Sequence, residues 1–165
     1  MKLANTALRM LALLLFFLGG CAQENPRVAT HFNREAALAG DLPFRPLSWK
    51  VITSWVNLKD ATMSTLYGND PAVAYARANP SAKYPEGSII ALVTWNQQED
   101  PRWFGARIPA AVKSVEFVSV SQQAGTSAPV YQRFEGNPLK PVSQKDSEAL
   151  DRAQYLLSQR AAVMP

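Results

Sequence analysis

Two residues stand out for the chemistry they could do and for their rarity: one cysteine, Cys21, and one histidine, His31, in 165 residues. A thiol can act as a nucleophile, bind a metal or accept a lipid, and an imidazole can serve as a base or a ligand. One of each is too few for a zinc-type cluster, and the carboxylates follow no ligand spacing, so no metal site is expected. A Ser-His-Asp arrangement would have to use His31, which sits in a segment with little apolar periodicity. Glu86, beside Gly87, reads as a turn carboxylate rather than a general base. No glycine-rich phosphate loop is present. The sequence therefore assigns no catalytic residue.

Cys21 has a clearer use. Lys2 and Arg9 give a positive front, and Met10 to Leu18 form an uninterrupted apolar run. That run suits the core of an export signal and falls short of the roughly 20 residues a membrane span needs. Leu18-Gly19-Gly20-Cys21 resembles a bacterial lipobox. The resemblance implies a signal peptide over residues 1–20, cleavage before Cys21, and acylation of its thiol and new amino terminus with chains such as palmitate. Each buried methylene contributes about 0.8 kcal/mol, so several chains hold a soluble domain at a membrane. Ala22 follows where an aspartate would favour retention, which by the same resemblance places the lipoprotein at the outer membrane, facing the periplasm.

Removing Lys2 and Arg9 from the 17 basic residues leaves 15 against 13 acidic ones, a net charge of +2. That is too little for nucleic-acid binding, and no basic cluster with interleaved aromatics appears. An acylated Cys21 leaves no thiol for a disulfide, so packing must supply the stability.

The elements that must position any site follow from patterning. Residues 21–46 read as a tether with one short helix capped by Asn33, and residues 47–165 as one domain. Ser48 to Val56 predicts a strand. Asp60 is expected to cap a helix through Tyr67, with Gly68 ending it, and Asn69-Asp70-Pro71 to start another through Ala78. Ser88 to Trp95 is an apolar run that fits a doubly buried strand. Arg102 to Ile108 predicts a strand closed by Pro109, and Val112 to Val120 alternates. Gln122 to Pro129 reads as a loop and Val130 to Phe134 as a strand. Ser143 and Asp146 suggest a capping box for a last helix, with Ala149, Leu150, Ala153, Leu156, Leu157 and Ala161 as its apolar stripe. The fold class is α+β: an antiparallel β-sheet with short helices and a C-terminal helix packed across it.

Several stretches resemble the cytochrome P-460 family of exported haem proteins, which oxidise hydroxylamine and carry a lysine cross-linked to the haem. They are Trp49-Lys50-Val51-Ile52, Tyr67-Gly68-Asn69-Asp70 with Ala72, Tyr84-Pro85-Glu86-Gly87-Ser88, and the strand ending in Trp95. Val115-Glu116-Phe117 and Tyr131 to Gly136 fit more loosely. The resemblance implies the sheet-and-helix fold and a homodimer. Its haem binders use Cys-x-x-Cys-His near the carboxyl end, whereas this chain reads Arg152 to Arg160 there, without thiol or imidazole. Leu92 stands where the resemblance places the cross-linking lysine.

The family's haem-oxidoreductase residues are thus missing, and the sequence points away from an enzyme. It points to a non-enzymatic module for a small apolar ligand or a partner, with no covalent cofactor. A redox or gas-binding role with non-covalent haem is the alternative. The candidate pocket is formed by Leu92, Trp95, Trp103 and Arg107, where the family's haem would lie. If that space is filled instead, Leu92, Tyr155 and Leu156 should be buried together. Alternation offers another reading of the β-hairpin, with Trp103 and Phe104 straddling the sheet.

Overall fold

A computed structural model of the chain describes residues 33–78, 83–123 and 126–162. The segment expected to be a signal peptide, Cys21, His31 and the first part of the expected tether lie outside them. Among the described residues, no helix is long and apolar enough to cross a membrane.

Six strands form one antiparallel sheet in sequence order. They are β1 (Lys50–Asn57), β2 (Thr62–Gly68), β3 (Ile89–Glu99), β4 (Arg107–Gln123), β5 (Thr126–Glu135) and β6 (Lys140–Val142). Helix α1 (Asp70–Ala78) joins β2 to β3, and α2 (Asp146–Leu157) follows β6. The fold is α+β, as the patterning predicts.

Alternation along the strands divides the core into two clusters, one on each face of the sheet. On one face, Ile52, Leu66, Ile90, Leu92, Val118 and Val120 meet Val73 and Ala76 of α1 and Ala153 and Leu156 of α2. On the other, Ala91, Val93, Trp95, Val115, Phe117 and Phe134 are covered by the segment leading into β1.

That segment corrects the expected tether. Residues 33–46 lie on the sheet, and the compact unit begins at Asn33 rather than near residue 47. Ala36, Leu38, Leu42 and Phe44 pack on the second cluster, with Phe44 5.6 Å from Phe117. Trp95 Nε1 donates to the Ala36 carbonyl at 2.9 Å. Gly40 bridges to Leu139, and a Cβ there would meet the Leu139 oxygen at 2.5 Å. Asn33 accepts from the Ala36 N–H, yet only a turn forms, not a helix. Four apolar residues at irregular spacing carry no periodic signal, so their packing does not show in the pattern.

A second correction concerns residues 60–67, expected as a helix and found as a turn followed by β2. Asn57 closes the turn, accepting from the Asp60 N–H at 3.1 Å and donating to its carboxylate at 2.8 Å. Asp60 therefore spends its capping capacity on a hairpin. From there Thr62, Ser64, Leu66 and Gly68 are inward at a period of two, which is strand geometry.

The next helix starts where predicted. Asn69 Oδ1 accepts from the Ala72 N–H at 3.2 Å and the Ile89 N–H at 3.0 Å, while Nδ2 donates to the Gly87 carbonyl at 2.8 Å. One side chain thus ties the Tyr67–Asp70 stretch to the Tyr84–Ser88 stretch. Helix α2 begins after Lys145 with no side-chain cap, so the expected capping box does not form. Asp146 and Glu148 in its first turn favour the helix dipole instead.

Two further boundaries move. Residues 100–106 form a loop and β4 begins at Arg107, with Pro109 inside the strand opposite Gln97. The register shifts beside that pair, and the irregular ladder accommodates a residue without an N–H. The loop expected over Gln122 to Pro129 is largely strand, since β4 and β5 pair to Gln123 and Thr126.

Candidate functional site

The register of the sheet brings together a set of hydroxyls that the sequence does not show as neighbours. Trp55 pairs with Ser64, Ser64 with Thr94, and Thr94 with Ser114, making one row across β1 to β4. All four point to the helix face, beside α2, with Thr62 one step farther along β2. Thr62, Ser64 and Ser114 are buried. Ser64 and Thr94 share a hydrogen bond of 3.0 Å.

The next row toward α2 is Leu66, Leu92, Glu116 and Arg133. It forms the boundary between the apolar core and a cleft of about 280 Å³. Around the cleft stand the hydroxyl row, Asn57 and Asp60 from the first turn, Lys113, Arg133, and Arg152 with Tyr155 from α2. Small polar side chains and three cations give it a polar lining.

Glu116 organises the charges. It is 1 % exposed, and Arg152 donates to it from Nε at 2.7 Å and from Nη2 at 2.9 Å. Tyr131 Oη donates at 2.7 Å, and Arg133 stands 3.9 Å away while also pairing with Glu135. Burial alone would raise the Glu116 carboxyl. The bonds from Arg152 and Tyr131 and the two positive charges outweigh it and hold Glu116 below the usual glutamate range. Burial, and then donation to a carboxylate, push the Tyr131 phenol up. Arg152 also lies 5.0 Å over the Tyr155 ring.

The four residues expected to form a pocket are not brought together. Leu92 lies on the helix face and is 1 % exposed, while Trp95 is buried on the opposite face against the N-terminal segment. Trp103 and Phe104 do not straddle the sheet: they sit in the loop beyond the strands, 70 % and 109 % exposed. Arg107, at the base of that loop, pairs with Glu99 at 3.5 Å on the surface. Leu92 and Leu156 are packed together as a filled site requires, but Tyr155 is half exposed beside the cleft.

A family model, cytochrome P460, matches residues 45–151, and the chain belongs to that family. No curated protein matches it. Membership implies haem, and the residues present do not fit one. The only cysteine and the only histidine precede the described residues, so neither a thioether pair nor an axial imidazole stands anywhere on the sheet or α2. Under α2, where the linking lysine would stand, Leu66, Ile90, Leu92, Val118 and Leu156 occupy the space. Among the described residues, no group of histidine, cysteine, aspartate and glutamate could hold a metal ion.

The sequence gives a faint signal for the hydroxyl row. Thr62-Met63-Ser64-Thr65 is a poor helix sequence, and read at a period of two it puts the Thr62 and Ser64 hydroxyls on one face of a strand. Glu116 also shows itself as a carboxylate set between the apolar Val115 and Phe117.

Proposed function

We propose that this chain is an outer-membrane lipoprotein, anchored through Cys21, whose cytochrome P460 domain faces the periplasm as a non-enzymatic binding or accessory module. Its ligand is small and polar. The observation that carries this reading is the row of buried Ser64, half-buried Thr94 and buried Ser114, lining a cleft beside Arg133 and Arg152.

Ser64 and Thr94 bond each other, and the Ser114 side chain lines the cleft, where a ligand can reach it. A guanidinium carries five N–H donors, and Arg152 spends two on Glu116. Unspent donors and hydroxyls in a cleft of this size suit an acceptor-rich molecule of a few heavy atoms, such as a short hydroxy acid. An apolar or planar ligand finds the corresponding space taken by Leu92 and Leu156.

Thermal unfolding with glycerate, glycerol and hexanoate tests the reading. Glycerate should raise the midpoint, hexanoate should not, and Ser114→Val should remove the rise. A rise with hexanoate alone would favour the apolar ligand instead.

A further inference from the structure

We propose that the two hairpin tips of this domain form a second membrane contact, inserting Leu58, Trp103 and Phe104 into the bilayer surface to which Cys21 is anchored. The proposal rests on the lipid-anchored reading above.

Among the described residues, Phe104, Leu58 and Trp103 are the three most exposed large hydrophobic side chains, at 109 %, 84 % and 70 %. They come from separate hairpins that end on the same side of the sheet. Thr62 pairs with Asn96, and the Gln97 N–H donates to the Ala61 carbonyl at 2.9 Å. The β1–β2 turn carrying Leu58 therefore lies beside the last residues of β3, whose loop carries Trp103 and Phe104.

The aromatic loop is built to present its residues. Asp100 Oδ1 accepts from the Arg102 N–H at 2.8 Å, and the Asp100 N–H donates to Ala106 at 3.0 Å. The Ala106 N–H donates to Trp103 at 3.0 Å, and Gly105 takes a φ of +78°. A closed turn holding two adjacent aromatics in water spends apolar surface that a monomeric domain would ordinarily cover.

The chain reaches the domain at this same end. Asn33 Nδ2 donates to the Pro109 carbonyl at 2.6 Å. Phe104 is five residues from Pro109, about 17 Å at most at strand rise. Cys21 is twelve residues before Asn33, and whatever the conformation between them, that length spans no more than about 40 Å. An acylated Cys21 therefore keeps the bilayer within about 40 Å of the end that bears Leu58, Trp103 and Phe104, a span those side chains can close by turning that end toward the surface.

Charge identifies the lipid chemistry. Lys59, Arg102 and Arg107 are balanced at these tips by Asp60, Glu99 and Asp100. No anionic headgroup is favoured, so burial of the apolar side chains at a zwitterionic interface is the driving term, with Trp103 suited to headgroup depth.

The experiment places the full acylated chain on phosphatidylcholine vesicles whose acyl chains carry bromine, which quenches indole fluorescence on contact. Native protein should be quenched; Trp103→Phe should remove most of the quenching and Trp95→Phe should leave it. In parallel, the unacylated Cys21→Ser chain should bind plain vesicles, and Trp103→Ser with Phe104→Ser should weaken that binding about ten-fold or more. Palmitate incorporation without quenching of Trp103 overturns the proposal and leaves the anchor standing. Failure of palmitate to enter the native chain overturns the anchored reading, and the Cys21→Ser binding then decides the tips alone: unchanged binding in the serine pair overturns them. Concentration-dependent dimerisation lost in the serine pair, without quenching, overturns the membrane in favour of a second copy.

Discussion

Arg152 grips Glu116 with two hydrogen bonds, Nε to Oε2 at 2.7 Å and Nη2 to Oε1 at 2.9 Å. One partner is in the second half of α2 and the other is buried at the centre of the sheet. The pair ties the flank of α2 to the sheet at the line where the apolar core stops and the hydroxyl-lined cleft begins.

Removing one partner should therefore cost more than removing both. A fully buried pair that loses one member costs about 3–5 kcal/mol, and Arg152 is a third exposed, so Arg152→Met is expected to cost about 2–3 kcal/mol. Glu116→Leu combined with Arg152→Met should recover a good part of that loss. Urea denaturation of the three variants checks both statements.

Stability should fall on the acid side through this same pair. The Glu116 carboxyl is held below its ordinary value of 4.5 in the folded state, so the folded chain takes up its proton at lower pH than the unfolded one. The stabilisation is present above about pH 4.5 and is lost as pH falls from there through the depressed folded value. Between pH 6 and 3, Glu116→Leu with Arg152→Met should lose less stability than the native chain. Parallel pH curves for the two proteins would remove Glu116 from the account.

Leu92→Ala should be a core truncation. Leu92 is buried against the α2 side of the sheet, and deleting such a side chain costs about 2–5 kcal/mol. A loss under 1 kcal/mol by urea denaturation would mean that open space lies beneath α2.

The N-terminal segment should behave as part of the domain. A chain beginning at Arg45 lacks the packing of Leu38, Leu42 and Phe44 and the acceptor for Trp95 Nε1. With partly buried side chains at about 1 kcal/mol each, about 3 kcal/mol should be lost. Equal urea midpoints for the two chains would return residues 33–44 to the role of a tether.

The parts of the fold legible in the sequence are those with a strong local period or punctuation. Ser88 to Trp95 announces β3 by its apolar run, and Asn69-Asp70-Pro71 announces α1 by a cap and a proline at the first turn. Asp60 misled because a capping side chain and a turn-closing side chain look alike, and only the partner, Asn57, decides between them. The candidate pocket failed for a related reason. Leu92 and Trp95 are three apart on a strand, which puts them on opposite faces, while Trp103 sits in the loop beyond the strands and Arg107 at the exposed first position of β4. The hydroxyl row exists only through register across β2, β3 and β4, a long-range property that local patterns do not carry.

Haem titration tests the central claim most directly. The purified chain, titrated with haem and followed by absorbance, should show no sharp Soret band at one equivalent, because Leu92 and Leu156 fill the face under α2 and no cysteine or histidine stands among residues 33–162. Glycerate should still raise its unfolding midpoint in a haem-free sample. A sharp Soret band saturating at one haem per chain would contradict the account and restore the family's redox chemistry to this protein.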